Sequence, residues 1–198
     1  MNQYIIATIG FLGFGTLLGS LEVLSRKFSL PPELIRRISH ISGALFTIFF
    51  SFYLSAYLLL AILGIFTIIM FISRLLKVFN HIHAVSRPTI GEELLPIGFI
   101  AAYLISNGNS TIFVPSILIV GVADPITGIV MQKYKKHSLG ILVFALVSIP
   151  LLMLFSQAPI WMSIMIAVVV SLVERISSYG TDNLSIPVSV ALLLLYIK

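Results

Sequence analysis

Ionisable residues are scarce in this chain, and most fall in four short clusters whose types and spacing could do chemistry. The first is Pro31-Pro32-Glu33-Leu34-Ile35-Arg36-Arg37-Ile38-Ser39-His40. Its prolines suit a helix's first turn, where a missing N–H costs little, and Ser29 is expected as the N-cap. On that helix Arg36 and Arg37 stand four and three residues before His40, so both can share its face. A guanidinium pair beside an imidazole could hold an anion and move a proton. The alternative is a snorkelling arginine pair above a buried, satisfied histidine.

The second cluster, Arg87-Pro88-Thr89-Ile90-Gly91-Glu92-Glu93-Leu94-Leu95-Pro96, holds two adjacent carboxylates. They point in different directions on a helix, so at most one is expected to face the interior, or the cluster is a solvated loop entering an apolar helix. The third is Gly121-Val122-Ala123-Asp124-Pro125-Ile126-Thr127-Gly128, running into the basic stretch Lys133 to Gly140. An aspartate after a long apolar run costs a few kcal/mol, about 2.5–3.5 on insertion scales, unless a metal or an arginine offsets it. Pro125 and Gly128 would free backbone groups for a ligand, or would merely kink a helix. In the fourth, Glu174 ends an apolar run and Asp182-Asn183 opens the next, supplying the hard oxygen donors magnesium prefers. Thr181 or Asp182 could instead cap the last helix, which leaves Glu174 unexplained.

The sequence has no Walker-type loop, zinc-spaced histidine pair or serine elbow. His81 and His83 are too close to share one helix face and read as loop. Scattered carboxylates with arginines suggest a magnesium–polyphosphate site, with a second substrate arriving from a bilayer.

The elements that must position these groups follow from composition. Of 198 residues, 59% are hydrophobic and 10% charged, with a mean hydropathy of +1.11, against roughly 25% charged residues in an ordinary globular domain. Most side chains must therefore be solvated by lipid. The absence of cysteine excludes disulfides, thiolate zinc sites and cysteine nucleophiles. Apolar runs near 4–22, 38–55, 57–73, 111–131, 139–156 and 158–174 are long enough to cross a bilayer, and shorter ones lie near 94–106 and 184–197. The N-terminal run lacks a basic n-region and a cleavage site, so it reads as a retained span. The expectation is an all-α, polytopic transmembrane helical bundle of about seven to eight spans, one integral membrane domain over 1–198 with its motifs in 36–187.

With the N-terminus outside, Arg26, Lys27, Arg36, Arg37, Arg74, Lys77, Arg87, Lys133, Lys135, Lys136 and Arg175 all fall inside, and Lys198 falls outside. The net charge of +5 is thus a matter of topology, and no nucleic acid is expected. Carboxylates are not sorted by that rule, yet Glu22, Glu33, Glu92, Glu93, Asp124, Glu174 and Asp182 map to the same side. Short outer loops explain part of this. A polar site at the cytosolic mouth of the bundle explains the rest.

Taken in order, the clusters resemble the motifs of the CTP-dependent polyprenol kinases, the family of phytol, farnesol and dolichol kinases. The family's Arg-Lys-x-x-His element is similar to Arg36-Arg37-Ile38-Ser39-His40, and its Gly-Glu…Pro segment to Gly91-Glu92-Glu93-Leu94-Leu95-Pro96. Asp124-Pro125-Ile126-Thr127-Gly128 resembles its aspartate-glycine element, and Glu174 with Asp182-Asn183-Leu184-Ser185-Ile186-Pro187 its closing element. Two departures stand out. Met131 and Lys135 occupy positions that are usually glycine, and Lys136-His137-Ser138-Leu139-Gly140 keeps the Lys-Ser-x-Glu-Gly element without its glutamate.

The resemblance implies transfer of the CTP γ-phosphate to a prenol hydroxyl at the cytosolic face of the inner membrane. It implies Arg37, His40, Asp124 and Glu92 as catalytic residues, and Arg36, Gly128, Lys136, Ser138, Glu174 and Asn183 as nucleotide-binding ones. Asp124 and Asp182 would hold Mg2+. The implied partners are the membrane, a prenol and a nucleotide, with a homo-oligomer as a further option. A CDP-lipid-forming cytidylyltransferase, a transporter or scaffold, and a family member that has lost activity with the eroded lysine-serine element are the competing readings.

Overall fold

The computed structural model describes residues 2–76, 78–79 and 89–197. Among these the chain is helical, with no strand. Lys77, His81, His83, Arg87, Pro88 and Lys198, all named above, lie outside the described residues.

Among the described residues, eight helical rods coincide with the eight apolar runs: α1 (Gln3–Phe28), α2 (Pro32–Tyr53), α3 (Ala56–Leu75), α4 (Gly91–Ser106), α5 (Ser110–Tyr134), α6 (His137–Ser156), α7 (Ile160–Ile176) and α8 (Asp182–Ile197). Four of them, α1, α3, α5 and α6, are long and apolar enough to cross a membrane. The others are shorter or carry more polar residues. The surface bears large apolar side chains along its length, among them Ile9, Leu12, Ile68, Leu146, Leu154 and Trp161. Lipid is the solvent that tolerates such a surface.

Rod ends follow local chemistry. Asn2 and Asn109 cap α1 and α5, each accepting a hydrogen bond from the N–H two residues on, at 3.0 Å. Ser29, expected to cap α2, instead ends α1 in the left-handed conformation, with its N–H donating to the Ser25 carbonyl. Pro31 takes the cap position because its fixed φ already suits a helix entry, and its carbonyl accepts from Leu34 and Ile35.

The rod buried along most of its length is α5, packed against α2, α4, α6 and α8. Close helix approach rests on glycine. A methyl group at Gly121 would lie 2.2 Å from the Ala44 Cβ on α2, and one at Gly98 would lie 2.2 Å from the Asn183 carbonyl on α8. The α4–α8 and α5–α6 pairs are the most extensively packed among the described residues.

One irregularity matters for the site. Between Ile119 and Ala123, α5 winds as a π-helix, and the Asp124 N–H donates to the Ile119 carbonyl five residues back. Pro125 has no N–H to offer the carbonyl four residues before it, and its ring crowds that carbonyl, so one wider turn relieves the conflict. The π-turn shifts the register of everything after it, and Asp124 is the first residue beyond.

Candidate functional site

The polar ends of α2, α5, α6, α7 and α8 meet around one cavity of about 410 Å³. Arg36, Arg37 and His40 enter it from α2, Asp124 and Gly128 from α5, Glu174 from α7 and Asp182 from α8. Clusters separated by more than a hundred residues of sequence thus share one wall. Glu33, Thr127, Gln132, His137, Arg175 and Ser177 complete its polar lining.

The two arginines differ. Arg36 is buried and pairs with Glu33 one turn earlier, at 3.1 Å. Arg37 packs over Gly128, where a methyl group would lie 3.4 Å from its Nε and from one terminal nitrogen. The Nε atoms of both are buried without a hydrogen-bond partner. His40 is 2% exposed and its Nε2 also lacks a partner. Donors left open around a cavity are what an anionic ligand with many acceptor oxygens requires.

The start of α8 is stitched to the start of α4. Asn183 is fully buried, and its side-chain N–H donates to the Gly91 carbonyl at 2.8 Å. The Ile90 N–H donates to the Tyr179 carbonyl at 3.0 Å. Gly180 sits between them at φ +86°, where a Cβ would come 2.5 Å from the Gly91 nitrogen, so both conformation and space demand glycine. Asn183 does not line the cavity; it holds the turn that presents its neighbour, Asp182.

Glu92 is also placed elsewhere. Glu92 and Glu93 are both buried, and both pair with Arg74 of α3, Glu92 at 2.8 Å. The expectation that only one could face inward fails because Arg74 presents nitrogens on two edges of its guanidinium, one to each carboxylate, while also donating to the Thr89 carbonyl. Lys136 and Ser138 are exposed and stand outside the lining, although His137 and Gly140 beside them belong to it. Arg74→Ala would strand two buried carboxylates, so it should destabilise the fold by about 3–5 kcal/mol. Thermal unfolding in detergent checks this, with Arg74→Lys expected to restore only part.

Sequence reasoning missed Arg74 as the partner of Glu92 and Glu93, since nothing in local spacing joins them. It also passed over the Glu33–Arg36 pair, which their three-residue separation could have revealed.

Magnesium takes only one or two carboxylates, completing its shell with phosphate oxygens and water. Among the described residues no three His, Cys, Asp or Glu side chains are grouped closely enough to hold a metal ion by themselves. Asp124, Glu174 and Asp182 around a cavity rich in open donors fit an ion that arrives with phosphates.

The fold and site together define an all-helical protein, four of whose helices could cross a membrane, with a polar cavity at one end of the bundle. Compared with protein-family models, curated proteins and solved structures, the chain matches none.

Proposed function

We propose that this chain is a CTP-dependent kinase that phosphorylates the hydroxyl of a prenol (phytol, geranylgeraniol, farnesol or a longer polyprenol) to a prenyl monophosphate. The observation that carries this reading is the shared cavity of Arg36, Arg37, His40, Asp124, Glu174 and Asp182 at one end of a largely apolar bundle. Phosphoryl transfer is mostly positioning and charge neutralisation, which is what such a cavity can supply. The prenol oxygen attacks the γ-phosphorus, the bond from that phosphorus to the β–γ bridging oxygen breaks, and its electron pair leaves with CDP. His40 accepts the hydroxyl proton, while Glu92 is committed to Arg74. Arg36 and Arg37 stabilise the charge on the transferring group. Lys136 and Ser138, at the rim, meet the nucleotide. Magnesium, when bound, would neutralise phosphate charge, held by Asp124 and Asp182 with Glu174 nearby.

In this reading all eight rods cross the inner membrane, the N-terminus lies outside and the cavity opens to the cytosol. The chain contains no cysteine, so single introduced cysteines report topology directly. Cysteine at Lys135 or Ser178 should react with an impermeant maleimide only from the cytosolic side, and cysteine at Ser55 or Asn107 only from outside. The reverse pattern would invert the topology and remove the cavity from CTP. Function is tested by lipid mass spectrometry of cells lacking the protein. Free prenol should accumulate, and wild-type protein but not Asp124→Asn should clear it. An unchanged prenol pool would contradict the kinase reading.

A further inference from the structure

A second cavity, of about 80 Å³, lies between α1, α2, α3 and α4. Its walls are apolar, with Phe14, Phe46, Leu63, Phe66 and Leu95 among them. His40 lines both this cavity and the polar one. One buried imidazole, its Nε2 unpartnered, therefore divides a phosphate-sized polar chamber from a hydrocarbon-lined one. Of the other polar residues along the apolar wall, Ser39 donates its hydroxyl to the Ile35 carbonyl at 3.0 Å, Glu92 pairs with Arg74 through one carboxylate oxygen while its other oxygen lacks a partner, and Thr47 is buried.

We propose that this apolar cavity seats the hydroxyl-bearing end of a long-chain isoprenoid alcohol, presenting its oxygen to His40 and to the polar cavity beyond. The proposal rests on the kinase reading for the fate of that oxygen, though not for the binding itself. A water-sized group needs about 10–15 Å³ of such space, so the cavity holds about six of them, the bulk of one or two isoprene units. The rest of the chain would leave toward the lipid between α1 and α3, displacing the ring contacts of Phe66 with Phe11 and Phe14. Specificity is therefore set at the hydroxyl end, and the enzyme accepts C15, C20 and longer prenols with closely similar kcat/KM.

Gly43 keeps the chamber open. It lines the cavity, and a Cβ there would stand 3.5 Å from the Phe14 ring and 3.9 Å from a Leu95 methyl, in ordinary contact. Gly43→Leu would fill the space with side chain, while Gly43→Ala adds one methyl group that the helix accommodates.

The test uses the full-length protein in phosphatidylethanolamine–phosphatidylglycerol vesicles with a farnesol analogue carrying a diazirine near its hydroxyl. Photolabel is expected on Phe46, Leu63 or Phe66, to be competed by unlabelled farnesol, and to fall at least about tenfold in Gly43→Leu, as expected when a hydrophobic pocket loses the room its ligand needs. Gly43→Ala should give a smaller loss, and binding of Mg–CTP should not change in either variant. Label confined to outward-facing positions, or label untouched by competitor and by both substitutions, would overturn the proposal. So would a wild-type farnesol KM in a folded Gly43→Leu protein that still transfers phosphate. Competed label in the cavity without any phosphate transfer would support the proposal and defeat the kinase reading alone.

Discussion

Asp124→Asn is expected to reduce phosphate transfer by about a thousandfold, the several kcal/mol that charge stabilisation by a bound metal is worth in the transition state. The substitution removes the negative charge and leaves the shape. The π-turn that precedes the residue is dictated by Pro125 and by packing against α2, so the backbone should not respond. Asp124 interacts electrostatically with Arg36 and Arg37, so thermal unfolding should fall by a few degrees while the helical circular dichroism stays that of wild type, which separates lost chemistry from lost fold. Turnover near the wild-type rate would remove Asp124 from the proposed metal site.

The second large effect is expected at Arg37. Both Nε atoms lack a partner, but Glu33 engages Arg36 through a terminal nitrogen whereas Arg37 lies over Gly128 with no such ion pair among the described residues, the better placed of the two to grip a transferring phosphoryl group. Arg37→Ala should lower kcat by about 10²–10³-fold, the usual cost of one donor aimed at transition-state charge. Arg37→Lys keeps the charge but not the planar fork, and should recover only part of the loss. Arg36→Ala should be less selective for kcat and should also lower stability, because it leaves Glu33 without its partner. Steady-state kinetics beside unfolding curves distinguish the three. A wild-type kcat in Arg37→Ala would show that the guanidinium serves packing against α5.

How far these groups could be read without the fold depends on how much of each signal is local. The eight apolar runs match eight rods among the described residues because an unbroken apolar stretch is a property of consecutive residues, and four of those rods are long enough to cross a membrane. Arg36, Arg37, His40, Asp124, Glu174 and Asp182 stood out because ionisable groups at the ends of apolar helices are costly and need a reason. Their meeting in one cavity could be anticipated only from sidedness, and that places residues at one end of a bundle without saying which of them touch.

The rest depended on tertiary contacts. Nothing near Glu92 in sequence announces Arg74 as its partner, so a carboxylate that reads as a base is found locked in an ion pair. Asn183 has the chemistry of a ligand, yet its side chain holds the Gly91 carbonyl. The apolar chamber is built from phenylalanines and leucines that look like any other membrane helix surface, and only their arrangement around His40 gives it meaning. Ser29 followed a propensity that the adjacent proline pair overrode.

The central claim, that this cavity transfers the terminal phosphate of CTP to a prenol, is tested most directly by following two labels at once. Purified protein in vesicles would receive farnesol or geranylgeraniol, magnesium and CTP labelled on either the γ- or the α-phosphorus. The account predicts that γ-label enters the lipid phase as prenyl monophosphate while α-label remains in water as CDP. Entry of α-label into lipid with release of pyrophosphate would make the protein a cytidylyltransferase, and failure of either label to reach lipid with every prenol and nucleotide tried would contradict the kinase account.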